Sequence, residues 1–125
     1  MPNAPTLLII GDSQNIKRFA PHFQSEGFKL LVVEKISEAL FAAQQNRLHG
    51  IVFIVPVYWQ PITHFVEEVR KLKGYAHFEV PIFYLGKLIE GEDQKILQKH
   101  GVKVLTLGPV PDSEIARYVS TQIQY

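Results

Sequence analysis

The chain has 125 residues, of which 46% are hydrophobic and 20% charged, a balance that suits one globular domain and excludes a mostly disordered chain. Its formal net charge of +1 gives no strong attraction to nucleic acid or an anionic membrane, and the absence of cysteine excludes disulfides, thiolate metal sites and a cysteine nucleophile. The N-terminus lacks the regions of a signal peptide, and the longest apolar run, residues 51–59, is too short to cross a bilayer as a helix. We therefore expect a cytoplasmic protein with a single domain, residues 1–125, that binds neither nucleic acid nor membrane.

Five short apolar runs recur at nearly even spacing and are rich in β-branched and aromatic residues. They are TLLII (6–10), KLLVV (29–33), IVFIV (51–55), VPIFYL (80–85) and VKVLTL (102–107). Nearly continuous apolar character is typical of strands that are covered on both faces, as in a parallel sheet between two layers of helices.

Segments with a helical period alternate with these runs. Three of them carry a single apolar stripe: Ile16, Phe19, Ala20 and Phe23; Ile36, Ala39, Leu40 and Ala43; Ile62, Phe65, Val66 and Val69. A weaker fourth helix is predicted near Glu92–His100, and Ile115, Val119 and Ile123 indicate a fifth with Asp112 or Ser113 as its N-cap. Gly27, Gly50 and Gly101 precede strands and are predicted to end helices in the left-handed conformation.

This alternation predicts an α/β fold. Successive β-α-β units are almost always right-handed, so we expect a flavodoxin-like, doubly wound sheet of five parallel strands in the order 2-1-3-4-5, inside a three-layer sandwich. In such folds the functional crevice lies beyond the carboxyl ends of the strands.

The residues that follow the strands carry a family resemblance. Gly11-Asp12 follows the first strand, Pro61 lies a few residues past the third, and Gly108-Pro109 ends the fifth. With the order and spacing of the elements, these residues make the chain similar to the receiver domain of two-component response regulators over essentially its full length.

The resemblance implies where a phosphorylation site would stand in this sequence. The acidic pair that binds magnesium corresponds to Gly11 and Asp12, and the phosphoacceptor aspartate to Val57. The hydroxyl, switch and lysine positions correspond to Leu85, Leu105 and Gly108, with Pro109 after the last of them.

These replacements remove the chemistry of the family. Valine has no nucleophilic oxygen, Asp12 is the only crevice acid left for Mg²⁺, and Gly108 cannot neutralise an acyl phosphate. We therefore expect a pseudo-receiver with no catalytic residue, no bound metal and no cofactor, which acts through protein–protein interaction.

The same residues bear on three other functions. The string LLIIGDSQN is similar to the first block of GDS-type esterases, but no Asp-x-x-His pair follows to activate Ser13, for which a helix N-cap is the favoured role. His64 with Glu67 and Glu68 suggests a metal site only loosely. The main alternative is a flavodoxin-like domain that binds a flavin or nucleotide in a crevice formed by Gly11, Tyr58, Gly86 and Gly108, although the phosphate-binding glycine pattern is missing.

The resemblance also implies a partner surface, on the fourth helix, fifth strand and fifth helix. Tyr118 is the principal candidate for contact there, accompanied by the basic residues Lys95, Lys99, Lys103 and Arg117. Tyr58 and Trp59, on the rim of the crevice, are the second candidates, since aromatic residues are enriched at interface hot spots. We expect one or more signalling or scaffolding proteins as partners, and a homodimer is possible. An output domain in a longer parent protein is compatible with the sequence.

Overall fold

The computed structural model describes residues 4–54, 62–72, 80–86, 91–106 and 110–123, and in these ranges strands and helices alternate. The strands are β1 (Thr6–Ile10), β2 (Lys29–Val33), β3 (Gly50–Ile54), β4 (Ile82–Gly86) and β5 (Val102–Thr106). The helices are α1 (Ser13–Ser25), α2 (Ile36–Gln45), α3 (Ile62–Lys71), α4 (Glu92–Lys99) and α5 (Asp112–Gln122).

All neighbouring strands are parallel, and their order in the sheet is β2-β1-β3-β4-β5. Successive residues of a strand point to opposite faces, so each strand feeds two separate cores. Leu8 and Ile10 lie in a core with buried residues of α2, α3 and α4, whereas Leu7 and Ile9 lie in a second core with residues of α1 and α5. The predicted strand order and three-layer architecture are confirmed.

The helices bury the stripes that their periodicity predicts. Phe19 and Phe23 of α1 are fully buried, as are Phe65 and Val66 of α3, and the Phe65 ring meets Phe53 of β3 edge to face with centroids 5.2 Å apart. Each such aromatic contact adds about 1 kcal/mol to the burial of its rings. Burial of these stripes attaches the helices to the sheet.

Three predictions about helix ends are wrong. Gly27 and Gly101 have positive φ, 94° and 75°, but Gly50 is the first residue of β3. A Cβ at Gly50 would lie 2.6 Å from Cδ1 of Ile123 and 2.9 Å from Cδ1 of Leu7, so close packing, and not a helix end, favours glycine there. The N-cap of α1 is Asp12 and not Ser13, and the residue before α5 is Pro111, so Asp112 and Ser113 lie inside the helix.

Arg70 connects three elements on the α2–α3–α4 side of the sheet. It is 6% exposed, its Nε donates to the carbonyl oxygen of His100 at 3.1 Å, and its Nη1 donates to the carbonyl oxygen of Val80 at 2.9 Å. Burial lowers the pKa of Arg70 to about 10, so the side chain remains cationic at neutral pH. The guanidinium thus fixes the end of α3 to the approach to β4 and to the turn between α4 and β5.

His49 lies just before β3, beside the start of β1, and its pKa predicts that the stability of the fold depends on pH. The imidazole Nδ1 of His49 accepts a hydrogen bond from the backbone N–H of Thr6 at 2.9 Å, and the backbone N–H of His49 donates to the Thr6 carbonyl oxygen at 2.8 Å. Burial, and to a lesser degree the positive charge of Arg47, lowers the pKa of His49. A lowered pKa means that the unfolded chain binds more protons, so the free energy of unfolding falls as pH drops through the unfolded value of about 6.5.

We expect His49→Asn to flatten this dependence, because asparagine keeps an acceptor that does not titrate. The measurement is urea unfolding at a series of pH values between about 5.5 and 7.5. Burial also lowers the pKa of His100, so part of the slope remains in the variant. Equal slopes for the wild type and the variant would contradict the assignment to His49.

Candidate functional site

The carboxyl ends of β1 and β3 meet at Gly11, the first crevice position. Gly11 is buried, and its N–H donates to the carbonyl oxygen of Val33 at 3.2 Å. A Cβ on Gly11 would lie 3.1 Å from the carbonyl oxygen of Ile54 and 3.3 Å from the Ile54 Cβ. Both distances are shorter than ordinary van der Waals contact, so a side chain at this position requires the end of β3 to move.

Asp12, the second crevice position, is exposed and caps α1. Its Oδ1 accepts the N–H of Asn15 at 2.8 Å, and its carbonyl oxygen accepts the N–H of Ile16 at 2.9 Å. An aspartate in this role satisfies a backbone donor that has no partner inside the helix. Ser13 is exposed and is the first residue of the helix. Asp12 therefore has a structural task that is independent of any ligand.

The positions for a hydroxyl and a switch residue hold apolar side chains that pack inward. Leu85 is fully buried in the core formed with α1 and α5, and half-buried Leu105 packs against the same core. The two residues are directly paired between β4 and β5. Gly86, one residue beyond Leu85, is the last residue of β4. Leu85 and Leu105 extend the core to the carboxyl ends of β4 and β5, and their side chains have no polar atom.

Several predicted site residues lie outside the described ranges. They are Val57, Tyr58, Trp59, Gly108 and Pro109. The alternative ligand crevice depends on Tyr58 and Gly108, so it stays a prediction. Among the described residues, no group of three His, Asp or Glu side chains is placed to hold a metal ion, and no described helix is long and apolar enough to span a membrane.

The predicted partner surface lies around the β5 edge of the sheet. Tyr118 on α5 is 40% exposed, and its ring meets buried Phe83 edge to face at 6.5 Å. Lys103 on β5 donates from Nζ to Oε1 of Gln122, one helical turn beyond Tyr118. Tyr118 and Lys103 thus belong to the α5 side of the sheet.

The other basic residues of the predicted surface spread over two helices. Arg117 is exposed on α5, next to Tyr118 in sequence. Lys95 and Lys99 are exposed on α4, which packs on the opposite face of the sheet, and Lys95 lies 3.7 Å from Glu92. The basic residues of the predicted surface are therefore divided between the two sides of the β5 edge, with Tyr118 on the α5 side.

An ion pair joins the two helices of the α1–α5 layer. Arg18 Nε and Nη2 donate to the two carboxylate oxygens of Asp112 at 2.7 and 2.8 Å. The hydrogen bond lowers the pKa of the Asp112 carboxyl and raises that of the Arg18 guanidinium. This bidentate contact uses the acid that the sequence predicted as a helix cap.

The structure reveals a second exposed surface, which the sequence reasoning missed. Phe41 on α2 is 63% exposed and Val32 on β2 is 50% exposed, and they line a groove of about 470 Å³ with Leu31, Val33, Ser37, Glu38, Ala42 and Asn46. We refer to these residues as the β2–α2 surface. A signal was present, because Phe41 lies outside the apolar stripe of its helix and the predicted strand order leaves β2 at an edge.

Comparison with known proteins bears on the fold. No family model matches the chain, and no curated protein matches its sequence. A CheY-like receiver domain protein from Methanospirillum hungatei superposes with a TM-score of 0.79 at 14% identity, over 96% of this chain and 94% of that chain. Chemotaxis response regulator CheY4 of Vibrio cholerae gives a TM-score of 0.78 at 21% identity, over 97% of this chain and 100% of that chain.

A third neighbour belongs to a family of redox sensors in the streptococci described as evolved from two-component response regulators. Its TM-score is 0.75 at 20% identity, over 94% of this chain and 50% of that chain. The chain therefore has the fold of CheY-like receiver domains, and the resemblance predicted from the sequence is confirmed at the level of the fold.

Proposed function

We propose that this chain is a non-enzymatic pseudo-receiver, which is not phosphorylated on aspartate and signals by binding another protein. The observation that carries the proposal is the packing of Gly11, where a Cβ would lie 3.1 Å from the carbonyl oxygen of Ile54. Glycine provides no side chain where receiver domains have the first of their two magnesium-binding acids, and a Cβ here would require Ile54 to shift by a few tenths of an ångström. The second, Asp12, is the N-cap of α1.

The chemistry of the remaining positions supports the same proposal. Mg²⁺ prefers an octahedron of hard oxygen ligands, to which a single exposed carboxylate contributes little. Buried Leu85 has no hydroxyl to contact a phosphoryl group, and the sequence places Val57 where a nucleophilic carboxylate is needed. Phosphoryl transfer would then lack its acceptor, its metal and its stabilising donors together.

A signal other than aspartyl phosphate, or constitutive binding, would control such a module. The neighbouring streptococcal proteins are described as redox sensors evolved from response regulators, an example of this fold in proteins named for a different signal. A chain without cysteine cannot use a thiol for that purpose. We therefore favour regulation through the partner and not through oxidation of this chain.

The proposed contact is the α4–β5–α5 face, with Tyr118 on its α5 side as the principal anchor. Its ring is held at one edge by Phe83 and is 40% exposed, so it offers a pre-positioned aromatic surface at small entropic cost. Arg117 and Lys103 supply positive charge beside it, and Lys95 and Lys99 supply more across the β5 edge. This arrangement suits a partner with an apolar anchor surrounded by acidic side chains.

We expect Tyr118→Glu to reduce partner recovery at least about tenfold, because it replaces an aromatic anchor by a charge of the partner's own sign. The measurement is affinity capture from the native lysate, read by quantitative mass spectrometry. Gln24→Glu is the control, since it introduces the same charge at an exposed residue of α1, outside both the α4–β5–α5 face and the β2–α2 surface. Circular dichroism and thermal unfolding establish that both variants are folded. Equal recovery by wild type and Tyr118→Glu would contradict this face.

A further inference from the structure

The edge strand β2 presents an unpaired row of backbone groups. Within the described ranges β2 pairs only with β1. The N–H of Lys29 donates to the Pro5 carbonyl at 2.9 Å, and the carbonyl of Val33 accepts the N–H of Gly11 at 3.2 Å, so residues 29 and 33 point toward β1. Because backbone groups alternate in direction along a strand, the N–H and C=O of Leu30 and Val32 point outward.

The side chains beside this open edge are apolar and exposed. Val32, the fourth of its five residues, has half of its surface exposed, and Phe41 projects from α2 beside it. A second groove of about 300 Å³ on the α1 side shares Val32, Val33 and Glu38 with the first. Edge strands are usually blocked by a central lysine, a proline or a bulge. The three middle residues of β2 are Leu30, Leu31 and Val32, which leave the edge open to another strand.

We propose that a second copy of this chain docks on the β2–α2 surface, with the two β2 strands antiparallel about a two-fold axis at Leu31. If the two-fold axis is perpendicular to the sheet, the α1 faces of both copies lie on one side of the joined sheet and the α2 faces on the other. Two residues that lie opposite each other across the interface must then project from the same face. Centring on Leu31 meets this condition. It places Leu30 opposite the partner's Val32, and each such pair of outward-pointing residues exchanges two hydrogen bonds.

The side chains favour this register and a self-pairing. Leu30 lies against the partner's Val32 on the α1 face, and Leu31 lies against the partner's Leu31 on the α2 face, where the Phe41 residues of both copies cover them. Lys29 begins the strand and Glu38 lies at the other end of the groove, so an antiparallel copy brings Lys29 toward the partner's Glu38. The adjacent register, centred on Val32, would instead oppose Lys29 to the partner's Lys35.

Lys17 and Glu34 line the second groove near the carboxyl end of β2, and Lys35 follows Glu34 in the chain, so this end is close to neutral. Since β2 and β5 are opposite edges of the sheet, this dimer leaves Tyr118 and the α4–β5–α5 face free. The inference thus goes beyond the proposed function, and either can fail without the other.

Sedimentation velocity of the full chain, from micromolar to millimolar concentration, tests the dimer. We expect a monomer–dimer equilibrium whose Kd rises at least about tenfold in Val32→Lys, which puts a charge against the partner's Leu30. Val110→Lys is the matched control, because Val110 is 46% exposed and lies outside the β2–α2 surface. Its Kd should equal that of the wild type. A wild type that is monomeric throughout, or a Val32→Lys dimer of unchanged affinity, would overturn the proposal.

The absence of native cysteine allows the register to be tested directly. In the proposed pair, residue 31 faces its own copy as a non-hydrogen-bonded pair, with Cα atoms about 4.5 Å apart, a distance that a disulfide can span. Leu31→Cys should cross-link on mild oxidation, whereas Val33→Cys, opposite the partner's Lys29, should not. Equal cross-linking at both positions, or none at residue 31, would overturn the register.

Discussion

Arg70→Met is expected to lower the free energy of unfolding by about 3 kcal/mol, since hydrogen bonds to a charged donor are each among the stronger contributors to stability. The guanidinium donates hydrogen bonds to two carbonyl oxygens in different parts of the chain, that of His100 at 3.1 Å and that of Val80 at 2.9 Å. Methionine fills similar space and donates to neither, so both carbonyls lose this donor at a buried site. Urea unfolding followed by circular dichroism measures the change.

The unfolding free energy of Arg70→Lys should lie between those of the wild type and Arg70→Met, because one ammonium group on a flexible stem cannot reproduce the planar fork of the guanidinium. Arg117→Met is the control, since Arg117 is exposed on α5 and its loss should change the unfolding free energy by less than about 0.5 kcal/mol. A loss for Arg70→Met no larger than that for Arg117→Met would contradict the role assigned to the guanidinium.

Gly11→Asp is expected to destabilise the fold by about 3 kcal/mol and to leave it without measurable Mg²⁺ affinity. The new Cβ would press on the carbonyl oxygen of Ile54, part of the central strand β3, and the carboxylate would carry negative charge toward that oxygen. Restoring the acid that the family has at this position therefore costs stability before it can bind a metal. Thermal unfolding and isothermal titration with Mg²⁺ measure the two effects.

Two variants separate the causes in that experiment. Gly11→Ala adds the Cβ without the charge and should cost about 1–2 kcal/mol. Gln14→Asp adds the same charge at an exposed site of α1 and should be nearly neutral. A Gly11→Asp protein as stable as the wild type, with micromolar Mg²⁺ affinity, would show that the crevice accommodates the acid and would contradict our interpretation of Gly11.

Much of the fold followed from the sequence because its signals are local and repeated. The apolar stripe of α1 and the run TLLII predict their elements to within a few residues, and right-handed crossovers then leave few possible strand orders. The errors fall where a long-range contact decides. Gly50 stands where the sequence predicts a helix end, but close packing against Ile123 and Leu7, both distant in the chain, accounts for glycine there.

Helix caps and pairings were less predictable for a similar reason. Asp112 is a residue type that is favoured at N-caps, but in the structure its carboxylate accepts two hydrogen bonds from Arg18 of another helix. Arg70 gives no periodic signal, since a charged residue in a helix is normally solvated and its two carbonyl partners cannot be read from the sequence.

For the candidate site, the sequence predicts only which functional side chains of a receiver domain are missing. Substitution of family positions by Gly11, Leu85 and Leu105 predicts what the crevice lacks, and the structure adds how the space is filled. The protein contacts that we propose in place of phosphoryl transfer depend on exposed surface. The exposure of Val32 and Phe41 is a property of the assembled sheet edge, which the periodicity of the individual segments does not reveal.

Incubation with a small-molecule phosphodonor, with and without Mg²⁺, tests the central claim most directly when the intact mass of the chain is followed. Asp12→Asn is the matched variant, because asparagine keeps the helix cap and removes the one crevice carboxylate at the end of β1. An aspartate-bearing receiver domain serves as the positive control. A pseudo-receiver keeps an unchanged mass in all conditions, as our account predicts. Mg²⁺-dependent addition of one phosphoryl group, lost in Asp12→Asn, would contradict it.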